Sequence, residues 1–270
     1  MPLDPNPYEP VPGSPRGGAA MPGVDPPYVE PIQAIVFDLD GTLITSRHDF
    51  PKMRRAIVQM AELHGVPPGA LHPGETVPGT LEAARSALAA RAVSEGTLYR
   101  FEADVNRRID EIEMEALPSV AARPGAVALL QELTARSYRL GLLTRSCEAF
   151  TRQALRAAGL EPYFPFLRSR SAPGPAKPSP ESLEILLQEM GIPPHEAIVV
   201  GDHPMDGETA RGARVRFYGV LEDPGAPPLE RAAERLKAAG AVAVARDLPE
   251  LARQLGLPKL PGAPPPAPNG

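Results

Sequence analysis

The sequence predicts an α/β protein: a doubly wound, mainly parallel, Rossmann-like sheet with an inserted small α-helical cap domain. Three observations lead there. Short apolar runs alternate with helical patterns from residue 32 to residue 257, the runs show little polar alternation, and the stretch between Ile44 and Arg123 is helical throughout. Val-, Ile-, Leu- and Ala-rich runs without alternation belong to strands buried on both faces, and strands alternating with helices build parallel sheets.

Residues 1–31 carry ten of the 36 prolines and almost no apolar periodicity, so an extended or disordered tail is expected. The first strand is Ala34–Leu39. Pro51–His64, Leu81–Ala92 and Leu98–Leu117 then have helical period and no strand pattern; with their loops they make up the cap, residues 46–121. In the third of these helices Leu98, Phe101, Val105, Ile109, Ile112 and Leu117 form one apolar stripe. Glu102, Asp104, Asp110, Glu111, Glu113 and Glu115 fall largely off it, which reads as a solvated face without a catalytic role.

The core is assigned to residues 32–45 and 122–257. Its further strands are Arg139–Thr144, Ala197–Gly201, Val215–Val220 and Ala241–Ala245. Its helices are Ala126–Ser137, Glu148–Ala158, Pro180–Met190, Pro204–Arg211 and Pro228–Ala239. Gly159, Gly191, Gly212 and Gly240 read as C-caps. Residues 258–270 form a second proline-rich tail. Either tail could dock on a partner, a plain solvated tail being the simpler reading.

A net charge of −5 without a Lys/Arg block argues against nucleic acid as the main partner, since phosphate backbones demand a basic face. The single cysteine, Cys147, excludes an internal disulfide and suits a reducing compartment; it reads as a small buried residue. No apolar run has the length of a membrane span, and the N-terminus lacks the basic-then-apolar pattern of a secretory signal. A cytoplasmic protein with no membrane partner is expected.

The chemistry concentrates in Asp38-Leu39-Asp40-Gly41-Thr42-Leu43, directly after Ala34-Ile35-Val36-Phe37. Side chains at i and i+2 of a strand share a face, so Asp38 and Asp40 are expected to face one pocket at the sheet's end. Paired carboxylates there need a divalent cation or a shared proton. Gly41 permits the turn and Thr42 offers a hydroxyl. Later strands end in further polar groups. Thr144 follows Leu140–Leu143, with Ser146 as the expected N-cap of the next helix. Lys177 lies in the loop before a helix, where it can neutralise phosphate. Gly201-Asp202-His203-Pro204-Met205-Asp206 supplies two more acids, although Asp202 would also serve as an ordinary N-cap. In the cap, Arg47, His48, Lys52, Arg54, Arg55 and His64 could meet a second anionic group, but each is ordinarily a surface residue.

With these groups in this order, residues 32–257 resemble the haloacid dehalogenase-like (HAD) hydrolase superfamily. The nearest likeness is to its helical-cap phosphatases of the phosphoglycolate phosphatase and β-phosphoglucomutase types. The resemblance implies that Asp38 is the nucleophile forming an aspartyl-phosphate and Asp40 the general acid and base. Thr144, Arg145 and Lys177 would bind phosphate. Mg²⁺ would be held by Asp38, the Asp40 backbone carbonyl, Asp202 and Asp206. Arg145 replaces the asparagine common in relatives, and His203-Pro204 stand where small residues are commoner. The implied activity is Mg²⁺-dependent hydrolysis of a small phosphorylated metabolite. A phosphomutase, or a non-catalytic interaction protein on the same fold, is the alternative.

Overall fold

The structure, a computed structural model, describes residues 31–221, 229–258 and 260. Apart from Pro31, Pro258 and Leu260, the two expected tails lie outside the described residues, as does Pro228, the expected first residue of the fifth core helix.

Six parallel strands form the sheet in the order β5-β4-β1-β6-β7-β8. They are β1 (Ala34–Phe37), β4 (Arg139–Leu143), β5 (Phe166–Arg168), β6 (Ala197–Gly201), β7 (Arg216–Val220) and β8 (Ala241–Ala245). The core helices are α4 (Ala126–Ala135), α5 (Glu148–Ala157), α6 (Pro180–Met190), α7 (Pro204–Gly212), α8 (Leu229–Ala238) and α9 (Leu248–Gln254). β1 is central and buried at every position, yet its period of two still sorts its side chains. Ile35 and Phe37 enter a layer with Leu129, Phe150 and Leu251, from α4, α5 and α9. Ala34 and Val36 enter the opposite layer with Leu183, Ala210 and Leu236, from α6, α7 and α8. Helices cover both faces, as the fold class requires.

Between β2 (Ile44–Thr45) and β3 (Ala121–Ala122) lie α1 (Phe50–Leu63), α2 (Val77–Ala89) and α3 (Glu95–Glu115). These three helices have an apolar cluster of their own, which includes Met53, Ile57, Leu88, Phe101, Val105, Ile109 and Ile112. Capping sets their starts. Thr76 Oγ1 accepts from Gly79 N–H at 3.1 Å, so α2 begins four residues earlier than its apolar pattern indicates. Ser94 does the same for α3 through Thr97 N–H.

Several expectations need correction. β2 and β3 pair antiparallel, Ile44 with Ala122, and close the two ends of the helical insert where no strand was expected. β5 and α9 also carry no clear signal in the sequence. Two- and three-residue strands are too short to show a period, and α9 is a seven-residue helix begun by Asp247, which accepts from Glu250 N–H at 2.7 Å. Cys147, not Ser146, caps α5, its Sγ accepting from Phe150 N–H at 3.4 Å. Gly212 is the last residue of α7, not a left-handed cap; it is small because Pro180 packs against it. Glu113 does not lie on a solvated face, for it is buried.

Candidate active site

Parallel pairing of β4, β1 and β6 brings three carboxyl-terminal strand ends side by side, with Phe37 in register with both Leu142 and Val200. Asp38 and Asp40 lie beyond the end of β1, so a loop and not the strand's pleat orients them. Asp38 N–H still donates to Val200 O at 2.9 Å, fixing the first acid against β6. The chain then turns tightly: Leu43 N–H reaches Leu39 O at 2.8 Å, and Gly41 N–H reaches Ile44 O at 2.9 Å.

Gly41 has φ of +85°, and a Cβ there would run into the Asp202 carboxylate. Thr42 Oγ1 donates to Asp202 Oδ1 at 2.5 Å, tying the loop after β1 to the loop after β6. Buried Arg123 donates to Gly41 O and, at 2.6 Å, to Leu221 O. Sequence reasoning missed this arginine, since a lone Arg outside any motif carries no signal.

Lys177 is buried, and its Nζ donates to Asp38 Oδ1 and, at 2.7 Å, to Asp206 Oδ1. Asp206 is buried in the first turn of α7, where its Oδ2 also accepts from His203 N–H at 3.1 Å. Gly201 makes room for it, since a Cβ there would overlap the Asp206 carboxyl. His203 is the cap of α7, not Asp202, whose carboxylate is left to face the loop after β1. Asp38, Asp202 and Asp206 each offer an oxygen within 4.8 Å of the others. Three hard oxygen donors so close together can hold a divalent cation such as Mg²⁺.

Burial raises the Asp38 carboxyl to about 7; Lys177 opposes the rise, while Asp206 and Asp40 add to it. Burial also raises Asp40, against the opposing influence of His48 and Ser46. For Lys177 burial favours the neutral amine, but Asp206 and Asp38 outweigh it and the net shift is upward. Its ammonium stays charged.

The remaining predicted residues sit around this centre. Thr144 lies one residue further along β4 than Asp38 lies along β1, and its buried hydroxyl accepts from Ser146 N–H at 3.1 Å. Arg145 Nη1 donates to the Lys177 carbonyl, clamping that loop. The basic residues between β2 and β3 divide. Lys52 pairs with Glu115 and His64 with Asp104 (2.9 Å), so both are committed within the helical insert. Arg47 and Arg55 are exposed and Arg54 half-buried. His48 reaches the centre, its Nε2 lying 3.6 Å from Asp40 Oδ2.

A second acid group, Asp110 and Glu113 beside Cys147, is filled by a cation of the chain itself. Arg170 Nη2 lies 2.8 Å from Asp110 and 3.0 Å from Glu113, and its Nη1 donates to Asn106 Oδ1 at 3.1 Å. Glu113 also accepts from Cys147 N–H at 2.7 Å. A signal for Glu113 existed: it stands four residues after Ile109, on the side of the apolar stripe.

Residues 32–214 match the family model of the haloacid dehalogenase-like hydrolases. The chain belongs to that family. Among curated proteins this HAD-like chain is 30% identical over 239 residues to a phosphoglycolate phosphatase of Rhodospirillum rubrum, covering 84% of this chain and 92% of the relative. It is 29% identical over 175 residues to hexitol phosphatase A of Escherichia coli, covering 64% and 75%. Among solved structures, a HAD family hydrolase from Deinococcus radiodurans superimposes with a TM-score of 0.55 at 24% identity, covering 86% of this chain and 99% of the other. That likeness shows the fold. No helix among the described residues is long and apolar enough to cross a membrane.

Proposed function

We propose that the protein is a Mg²⁺-dependent phosphatase that hydrolyses a small phosphomonoester through an aspartyl-phosphate on Asp38. The observation that carries this reading is the buried Lys177 ammonium held between Asp38 and Asp206, with Asp202 alongside. The arrangement fixes one carboxylate in place and sets an ammonium beside it, which serves in-line attack on a phosphoryl group.

Asp38 attacks phosphorus while the bond to the leaving oxygen breaks. Asp40, whose burial favours the protonated form, gives its proton to that oxygen. Asp40 then takes a proton from water as the water oxygen attacks phosphorus, which frees phosphate and restores the Asp38 carboxylate. Lys177, Thr144 and Arg145 bind the phosphoryl oxygens. Asp38, Asp202, Asp206 and the Asp40 carbonyl would hold Mg²⁺, which when bound supplies charge neutralisation on those oxygens. In the same reading residues 46–121 form a cap that shields the pocket from water, over a core of residues 32–45 and 122–257. Relatives named as phosphatases of phosphoglycolate and of hexitols support a small phosphorylated metabolite as substrate.

The experiment is release of inorganic phosphate from a phosphomonoester panel in Mg²⁺. Wild type should turn over at least one ester. Asp38→Asn should lose nearly all turnover while staying folded by circular dichroism, and Asp40→Asn should lose about 10²- to 10⁴-fold. Isomerisation of a sugar phosphate without phosphate release would show a phosphomutase instead.

A further inference from the structure

The segment leading from β2 into α1 leaves a buried imidazole unpartnered. The His48 side chain is 4% exposed, and neither ring nitrogen has a hydrogen-bond partner among the described residues. Buried polar atoms are nearly always paired, so an orphaned imidazole calls for a ligand. Phe50 and Phe150 hold the ring, with centroids at 5.7 and 4.7 Å. This fixed ring aims Nε2 at the carboxyl of Asp40, 3.6 Å from Oδ2. That gap is too long for a direct hydrogen bond, and a single oxygen atom about 2.8 Å from both would bridge it.

We propose that His48 is a further catalytic residue: its Nε2–H donates a hydrogen bond to the leaving-group oxygen of the phosphomonoester, the oxygen that receives the proton of Asp40. The proposal rests on the phosphatase reading above. As the P–O bond breaks, its electron pair stays on the leaving oxygen. The Asp40 proton neutralises that charge, and His48 keeps its own proton throughout. A fixed donor aimed at developing charge acts where water is excluded, and so stabilises the transition state. The benefit is greatest for esters of aliphatic alcohols, whose alkoxides are poor leaving groups. It is smaller for a nitrophenolate, which carries its charge well.

The test compares wild type, His48→Ala and His48→Gln as full-length chains in Mg²⁺. Each is assayed on p-nitrophenyl phosphate and on the aliphatic ester that wild type hydrolyses fastest. The quantity read is the ratio of kcat/KM for the aliphatic ester to that for the aryl ester, which a misfolded fraction cannot change because it scales both rates. The ratio should fall at least about 10-fold in His48→Ala, with His48→Gln, which keeps an N–H donor, intermediate. An unchanged ratio in both variants, with wild type active, overturns the role of His48 and leaves the phosphatase reading intact. A wild type inactive on both esters overturns the two together.

Discussion

Gly41 and Asp202 show how closely single residues are specified at this centre. The +85° φ of Gly41 is costly for any residue with a Cβ, and here that atom would also strike the Asp202 carboxylate. Gly41→Ala is expected to lower unfolding free energy by about 1–3 kcal/mol in urea denaturation and to displace Asp202 from its bond with Thr42. Cys147 is specified in another way. Burial pushes its thiol up to about 12, and the Glu113 carboxylate adds to the effect. Native protein at pH 8 should therefore resist iodoacetamide, with mass spectrometry detecting alkylation only on unfolding. At this scale the motif residues were readable because chemistry restricts their identity. Arg123 and Arg170 were not readable as site residues, since their roles depend on neighbours far away in sequence; His48 was one of six candidates, and Glu113 showed only its place beside the apolar stripe.

Helix α3 joins the helical insert to the core through Arg170, and its two acids differ in environment. Glu113 is buried and satisfies both Arg170 and Cys147 N–H, whereas Asp110 is 41% exposed. Removing one partner of a buried pair strands the other charge, so Glu113→Ala should cost about 3–5 kcal/mol. Asp110→Ala should cost about 1 kcal/mol or less, because water replaces its contribution. Chemical denaturation of the two variants tests that order. Element by element, legibility follows local signals. Helix α6 agrees with its predicted bounds, Pro180–Met190, because Pro180 opens it and Gly191, at φ +64°, ends it. β2, β3 and β5 left no pattern, since their pairing, not their composition, makes them strands.

In the whole molecule the acid cluster draws on loops after β1 and β6 and on α7, so a cation bound there links distant parts of the fold. Mg²⁺ at about 100 times its Kd should add about 2.7 kcal/mol of stability. For a domain of this size that raises Tm by about 5–10 °C in scanning calorimetry, and Asp202→Asn should abolish most of the gain. The pH sign follows from Asp38. Its folded value is raised from 3.8 to about 7, so the folded state keeps a proton that the unfolded state has released. That contribution to stability is fully present below pH 3.8 and is lost as pH rises through 7. Cation binding needs the ionised carboxylate, so the Mg²⁺-induced gain in Tm should be larger at pH 8 than at pH 6. By itself the sequence determined the fold class and the order of the acids, the threonine and the lysine along the strand ends. Periodicity and residue chemistry are local properties, written in neighbouring positions. Only the tertiary structure decided which acids share an ammonium, which arginine fills the second acid group, and which basic residue between β2 and β3 lies beside Asp40. Those outcomes depend on strand register and burial, which arise when segments about 140 residues apart meet, as Asp38 meets Lys177 (|i−j| = 139).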